Sequence, residues 1–285
     1  DLVFLTMACT VNPFPDSASA ARAAMFLVSV GVVVSSAEYL ADSAQLKDTG
    51  LMSWTIGRLR EPVLSIGRIG ELLNVALGYP GVLGLLFLRL VVAGLLVADI
   101  AAGVERGELF RASLLLMAAL ITMLFLVRSK YGHDGADQMA LLVLLSLGLG
   151  SAVGTPVAVR ACLWFITLQA CLAYATAGIA KASSGGWRDG SFLRDILSTR
   201  MYGHARVGSI LRNRSVLSRC CALGVIAWEC LFPLVLVTPY PHAIGFLIIG
   251  AIFHLTSAYL MGLNTFTWSF LSTYPAIIYC VGTLR

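Results

Sequence analysis

Eight long apolar segments, each bounded by polar or turn-forming residues, dominate the sequence. An α-helix needs about 20 mostly apolar residues to cross the hydrocarbon core of a bilayer, and each segment comes close to that length. We therefore expect eight transmembrane helices, at about residues 19–40, 80–103, 110–127, 139–158, 161–181, 216–238, 243–262 and 265–283. The short connections between the last three predict an antiparallel set.

Two stretches between these segments are polar enough to lie outside the hydrocarbon. In residues 41–78, apolar side chains recur at helical spacing among charged ones, which favours an amphipathic helix in the membrane interface. These apolar residues are Ile56, Leu59, Val63, Ile66 and Ile69. Residues 182–215 are predicted to form a basic loop, because they hold six arginines and two aspartates. We expect one transmembrane domain spanning residues 1–285.

Composition strengthens the membrane interpretation. The chain is 58% hydrophobic and 12% charged, with a mean hydropathy of +0.86, whereas about a quarter of the residues in a soluble domain are charged. The predicted fold class is an all-α polytopic membrane protein with interfacial helices, surrounded by membrane lipids. The net charge of +5 is too diffuse to indicate nucleic acid as a partner. Cysteines and histidines lack metal-binding spacing, so we expect no metal.

Three charged residues, Arg89, Asp99 and Glu229, lie inside predicted spans and away from the span ends, where charge is costly and usually faces the bundle interior. Arg89 and Asp99 share one side of the second segment but lie too far apart along it for a direct salt bridge. Glu229 is the acid of the sixth segment. It either pairs with a cation across the bundle or serves as a functional carboxylate.

Lys181 is the last residue of the fifth segment and the central candidate for a functional residue. Tyr174, Ala177 and Gly178 share its helix face, and small residues there let another helix or a flat ligand approach closely. One interpretation is a lysine that reaches for the interface. The other is a partly desolvated amine, which is a better base because burial favours the neutral form.

Two histidines are further candidates. His133 opens the fourth segment beside two carboxylates, where it either caps the helix or donates a hydrogen bond to an oxyanion. His254 lies deep in the seventh segment and needs a buried partner. It is either a satisfied core histidine or part of a functional site.

Three short motifs in order resemble one family. They are Ala177–Lys181 followed by Trp187–Gly190, Phe253–Leu263 with Phe266 and Tyr274–Pro275, and Gly132–His133 at a helix start. The chain resembles the HTTM (horizontally transferred transmembrane) family over residues 15–284. That family includes the membrane domain of the vitamin K-dependent γ-carboxylase and the bacterial SdpB-like proteins.

The resemblance implies an enzyme that uses a reduced quinone, a vitamin K-like naphthoquinol, together with dioxygen. It places Lys181 as the base, with His133 and His254 as hydrogen-bond donors to the quinone or to developing negative charge. The residues that the resemblance places against the cofactor are Tyr174, Gly178, Trp187, Asn264 and Trp268.

The sequence also departs from the carboxylase pattern. Ala180 and Gly132 replace a lysine and an asparagine of that pattern, and the chain has no segment equivalent to the carboxylase's large extracytoplasmic region. The short bacterial branch, which acts on a secreted peptide with a partner maturation protein, fits the length better. It implies a bacterial cytoplasmic membrane. The alternative is a non-enzymatic subunit for maturation of, or immunity to, a peptide toxin, or a small transporter.

Overall fold

The computed structural model describes residues 12–60, 67–103, 106–128, 135–200 and 202–284, and within these ranges the regular structure is helical. The α-helices are α1 (Ser17–Ala41), α2 (Trp54–Gly57), α3 (Gly67–Leu77), α4 (Gly81–Ala101), α5 (Glu108–Arg128), α6 (Gly135–Val153), α7 (Pro156–Ser183), α8 (Gly185–Arg188), α9 (Ser191–Ser198), α10 (Ala205–Asn213), α11 (Ser215–Leu231), α12 (Tyr240–Met261), α13 (Asn264–Leu271) and α14 (Tyr274–Thr283). Short 3₁₀ helices cover Ser43–Leu46, Arg58–Arg60 and Phe232–Leu236.

Seven of the eight predicted spans are continuous helices long and apolar enough to cross a bilayer. They are α1, α4, α5, α6, α7, α11 with its 3₁₀ extension, and α12. The protein is therefore an integral membrane protein with an all-α polytopic fold, as the sequence predicts.

The eighth predicted span is broken into two half-helices, α13 and α14. The hydroxyls of Ser272 and Thr273 donate to the carbonyl oxygens of Ser269 and Phe270 at 2.7 Å each, so the break carries its own hydrogen bonds. Both hydroxyl residues are fully buried. Backbone groups that leave a helix inside a membrane need such partners.

The boundary between the fourth and fifth spans comes earlier than the sequence interpretation placed it. Helix α6 ends at Val153, Gly154 takes a positive φ of 68°, and α7 begins at Pro156. The Thr155 side chain caps α7 by accepting the Ala158 N–H. Glycine, a capping threonine and proline at the first helical position form a helix-stop and helix-start signal that overrides the continuing hydrophobicity.

The described residues between 41 and 78, namely 41–60 and 67–78, include several short helices. In α3, Ile69, Leu72 and Val75 are 70–75% exposed and share one face, as expected for an amphipathic interfacial helix. The predicted positions Val63 and Ile66 lie outside the described residues. Arg128 at the end of α5 holds this region: its Nε and Nη2 donate at 2.7 Å to the carbonyl oxygens of Leu77 and Leu46.

The bundle centre is formed by the first and last helices. Helix α1 packs against α4, α13, α14 and α6. At Gly31 an added Cβ would lie 2.5 Å from Trp268 Cβ, so glycine allows α13 to approach α1. Four residues of α14 are fully buried, namely Ala276, Ile277, Cys280 and Val281.

Candidate functional site

Lys181 and Glu229 form a bidentate ion pair between α7 and α11. Lys181 Nζ donates to Glu229 Oε1 at 2.8 Å and to Oε2 at 2.7 Å. The lysine side chain is 20% exposed and the glutamate side chain 4%. The sequence analysis allowed Glu229 either a cation partner across the bundle or a role as a functional carboxylate. The structure contains the cation partner. The Lys181 ammonium therefore has a carboxylate partner inside the protein.

Gly178 explains why these two charges meet. A Cβ at this position would lie 2.7 Å from both the backbone nitrogen and the sulfur of Cys230, and 3.0 Å from the carbonyl carbon of Glu229. Glycine lets the backbones of α7 and α11 touch, and that contact places Glu229 beside Lys181. The sequence predicted that either another helix or a flat ligand approaches this face of α7. In the structure, helix α11 does so.

Trp187 borders the pair from α8, immediately after the α7 helix. Lys181 Nζ lies 5.4 Å from the centroid of its half-buried ring, within cation–π range. An ammonium group has three N–H donors, and Glu229 accepts two of them. One N–H therefore remains beside an aromatic ring.

The Trp187–Gly190 motif turns the chain after the pair. Asp189 accepts the Ser191 N–H at 2.8 Å, and this hydrogen bond lowers the pKa of its carboxyl group. Gly190 has a φ of 78° and lies against α11, where a Cβ would be 2.6 Å from the Arg219 nitrogen. The Ser218 hydroxyl donates to the Gly190 carbonyl at 2.6 Å. This motif therefore docks α9 on α11.

A second polar group lies deeper on the same face of α7. Tyr174 Oη and His254 Nε2 share a hydrogen bond of 2.6 Å, and Tyr274 Oη lies 3.5 Å from Tyr174 Oη. His254 is fully buried. The prediction that it needs a buried partner is confirmed, and the partner is another predicted site residue.

Aromatic rings enclose this second group. Tyr174 has Trp228, Phe232 and Phe270 within 5.0 Å of its ring centroid, and the His254 ring stacks on Phe270 at 4.8 Å. Among the described residues, His254 Nδ1 and Trp228 Nε1 are buried without a hydrogen-bond partner.

The two groups lie on one helix face: Lys181 and Tyr174 are seven residues apart on α7. Sequence reasoning missed Trp228 in this site, although its position beside Glu229 was a signal for it.

The other predicted site residues lie elsewhere. Asn264 Nδ2 donates to Glu38 Oε1 at 2.6 Å in an exposed contact, and Trp268 packs on Gly31 of α1. His133 lies outside the described residues. The structure therefore brings together Lys181, Gly178, Trp187, Tyr174 and His254, and it separates Asn264 and Trp268 from them.

A second buried ion pair has no link to the predicted site. Arg111 Nε of α5 donates to Asp99 Oδ2 of α4 at 2.7 Å, and both side chains are at most 7% exposed. This pairing agrees with the expectation that Asp99 does not bond to Arg89.

The fold and site define a polytopic membrane protein with a lysine–glutamate pair beside an aromatic-lined histidine. No family model, curated protein or solved structure matches the chain.

Proposed function

We propose that the chain is a membrane-embedded enzyme of the HTTM type, resembling the vitamin K-dependent carboxylase in its chemistry, in which Lys181 and Glu229 form an acid–base pair. The observation that carries this proposal is the bidentate contact of 2.7–2.8 Å between a mostly buried amine and a nearly fully buried carboxylate. Ionisable groups whose proton affinity is changed both by burial and by a charged partner are typical of catalytic sites.

The pair holds one proton that either group can carry. When the proton lies on Lys181, both groups are charged and stabilise each other. When it moves to Glu229, both groups are neutral. In that state Lys181 is a neutral base, and it can accept a proton from an acidic hydroxyl beside it.

The residues beside the amine would suit a reduced quinone. The remaining Lys181 N–H would bond to a ring oxygen, and Trp187 would offer a flat aromatic surface. The aromatic enclosure would exclude water. When bound, such a quinol would supply the two electrons that reduce dioxygen, and its oxidation would provide the base strong enough to remove a carbon-bound proton.

The proposed substrate is a secreted peptide or a small molecule, reached with a partner maturation protein in the cytoplasmic membrane of a bacterium. This part rests on the resemblance to the SdpB-like branch. Transfer of carbon dioxide, the lyase step of the carboxylase, is not proposed, because Ala180 and Gly132 replace a lysine and an asparagine of the carboxylase pattern.

The proposal is tested by oxygen uptake of the purified protein in lipid nanodiscs, with menaquinol as the electron donor. Wild type should consume oxygen above the protein-free rate, and Lys181→Met should return it to that rate. Arg111→Met is the matched control, because it breaks a buried ion pair away from the site. The proposal fails if wild type shows no uptake or if Lys181→Met keeps wild-type uptake in a folded protein.

A specific observation favours the non-enzymatic alternative. The Asp99–Arg111 pair shows that this protein also uses buried ion pairs away from the site. If the Lys181–Glu229 pair only stabilises the fold, replacing both residues with apolar ones should restore the stability and, with it, the biological function of the protein. The double substitution described in the Discussion separates the two proposals.

A further inference from the structure

Residues 182–219 carry the whole net charge of the chain. They contain seven arginines, two aspartates and neither lysine nor glutamate, and the formal net charge of the chain is +5. The cations and anions in the rest of the sequence therefore balance. Six of the seven arginines are exposed, and we call them the arginine surface. They are Arg188, Arg200, Arg206, Arg212, Arg214 and Arg219.

The arginine surface lies where two spanning helices reach one side of the membrane. Helix α7 ends at Ser183 and α11 begins at Ser215, and both are long and apolar enough to cross a bilayer. The segment between them therefore leaves and re-enters the membrane on the same side. The ring centroids of His204, just before α10, and Tyr259, near the end of α12, are 6.2 Å apart. Helix α10 thus stays beside the ends of the spans, at the level of the lipid headgroups.

Helices α9 and α10 turn an apolar face inward and a mixed face outward. Leu197 and Leu211 are 5–6% exposed. At Gly208 an added Cβ would lie 2.5 Å from the Leu197 carbonyl oxygen, so the two helices touch. Outside, Phe192 and Ile210 are 46% and 49% exposed among the arginines. An interfacial helix places such apolar side chains at the acyl boundary and its charged ones among the headgroups.

The protein offers these arginines little negative charge of its own. No described carboxylate forms an ion pair with any member of the arginine surface. Arg194 and Arg219 act on Asp189 through space, but Asp189 is exposed and already accepts the Ser191 N–H. The other acid of the segment, Asp195, is also exposed. Most of the positive charge is therefore left for a partner outside the chain.

The chemistry of the surface favours a lipid phosphate. A guanidinium group is planar and can donate two parallel hydrogen bonds to one phosphate, which a lysine ammonium cannot do. An acidic protein segment would satisfy the arginines but would not account for the exposed Phe192 and Ile210 between them. Anionic phospholipids supply both a negatively charged headgroup and acyl chains at this depth. We infer that the arginine surface binds the headgroups of anionic phospholipids in preference to those of zwitterionic ones.

This binding would hold in place the short helices that follow Lys181. Helices α8 and α9 have four and eight residues, and helices of that length are not stable on their own. Helix α8 carries the exposed Arg188 next to Trp187, whose ring centroid lies 5.4 Å from Lys181 Nζ. A headgroup on Arg188 would therefore restrain the helix that borders the ion pair.

The test compares phosphatidylglycerol with phosphatidylcholine of the same acyl chains. Both lipids have one phosphate, but only phosphatidylglycerol has a net negative charge. Native mass spectrometry of the purified full chain in detergent counts the bound lipids as each is titrated. We expect wild type to bind phosphatidylglycerol at least about fivefold more tightly, which is the effect of one interfacial cation. The preference should decrease as salt is added, because salt screens exposed charges.

Two matched double variants assign the preference to the surface. Arg206→Gln with Arg212→Gln removes two of its arginines from α10 and should lower the preference by at least about fivefold. Arg22→Gln with Arg160→Gln removes two exposed arginines near the starts of α1 and α7 and should keep it. In nanodiscs, hydrogen exchange of residues 185–213 should be slower with phosphatidylglycerol than with phosphatidylcholine, and the α10 variant should reduce this difference.

Equal binding of the two lipids by wild type would overturn the inference and would point to an acidic protein segment as the partner. An equal loss of preference in both double variants would also overturn it, because the preference would then follow total charge rather than position. Slower exchange only outside α8, α9 and α10 would place the lipid elsewhere and contradict the assignment. None of these measurements depends on enzymatic activity, so the inference is independent of the proposed function.

Discussion

Tyr174 and His254 form the shortest polar contact of the deeper site, with 2.6 Å between the phenol oxygen and Nε2. The two residues are 80 positions apart in the chain and lie on α7 and α12. Both are at most 3% exposed. The contact therefore joins two helices through a bond shielded from water.

Replacing Tyr174 with Phe should destabilise the fold while keeping the aromatic packing. The change leaves His254 Nε2 without its partner, and an unsatisfied buried group costs about 1–3 kcal/mol. Tyr259→Phe is the control, because Tyr259 is 80% exposed and should shift stability little. Unfolding by SDS in mixed micelles measures both. Equal effects of the two variants would contradict a stabilising role for the hydrogen bond.

Gly178→Ala should weaken the contact between α7 and α11. The added Cβ would meet Cys230 at 2.7 Å, and overpacking of this kind costs about 1–3 kcal/mol. Gly224→Ala on α11 is the matched control, since nothing lies within 4 Å of its added Cβ. That variant should be neutral or gain up to about 1 kcal/mol of helix propensity. Thermal unfolding of the two variants measures the difference. An unchanged stability of Gly178→Ala would contradict the close approach of α7 and α11 at this glycine.

Lys181→Met should destabilise by about 3–5 kcal/mol, because it leaves the buried Glu229 carboxylate without its cation. Adding Glu229→Leu should recover most of this loss, since a buried pair replaced by apolar residues is often neutral in stability. A double-mutant cycle in unfolding free energy gives the coupling.

The same double variant separates structure from catalysis. If Lys181 is the base, the stable double variant should still lack menaquinol-dependent oxygen uptake. If the pair is only structural, biological function should return along with stability.

Arg128→Met should loosen the interfacial helices and leave the bundle intact. It removes two hydrogen bonds of 2.7 Å to the carbonyl oxygens of Leu46 and Leu77, which are the last residues of two short helices. Hydrogen exchange followed by mass spectrometry should speed up in residues 43–57 and 67–77. Exchange in α1 and α14 should stay as in wild type. Faster exchange throughout the chain would instead show that Arg128 supports the whole fold.

Periodicity and hydropathy predicted most of the fold. Apolar length alone placed seven spans, because a helix must satisfy its backbone within the bilayer. The break at Ser272 and Thr273 was not predicted, since their side chains satisfy the backbone only when the surrounding helices bury them. Gly154, Thr155 and Pro156 indicated that α6 ends early, at Val153. The continuing hydrophobicity led to a later predicted boundary.

The site was predicted in part. Tyr174, Gly178 and Lys181 share a face because helix geometry fixes their spacing, and the structure keeps them together. The partner of Lys181 was not predictable, because Glu229 is 48 positions away and its approach depends on backbone contact at Gly178. Asn264 and Trp268 were grouped with the site by motif, but α13 directs them to α1.

The broken eighth span has a consequence for how the protein is made. Neither α13 nor α14 is long enough to cross a bilayer alone, yet α14 supplies four fully buried residues at the bundle centre. The seven longer helices can enter the membrane on their own hydrophobicity, but the interior of the bundle closes only when α14 packs among them. Helix α14 therefore depends on the helices that precede it, and they depend on it for their buried contacts.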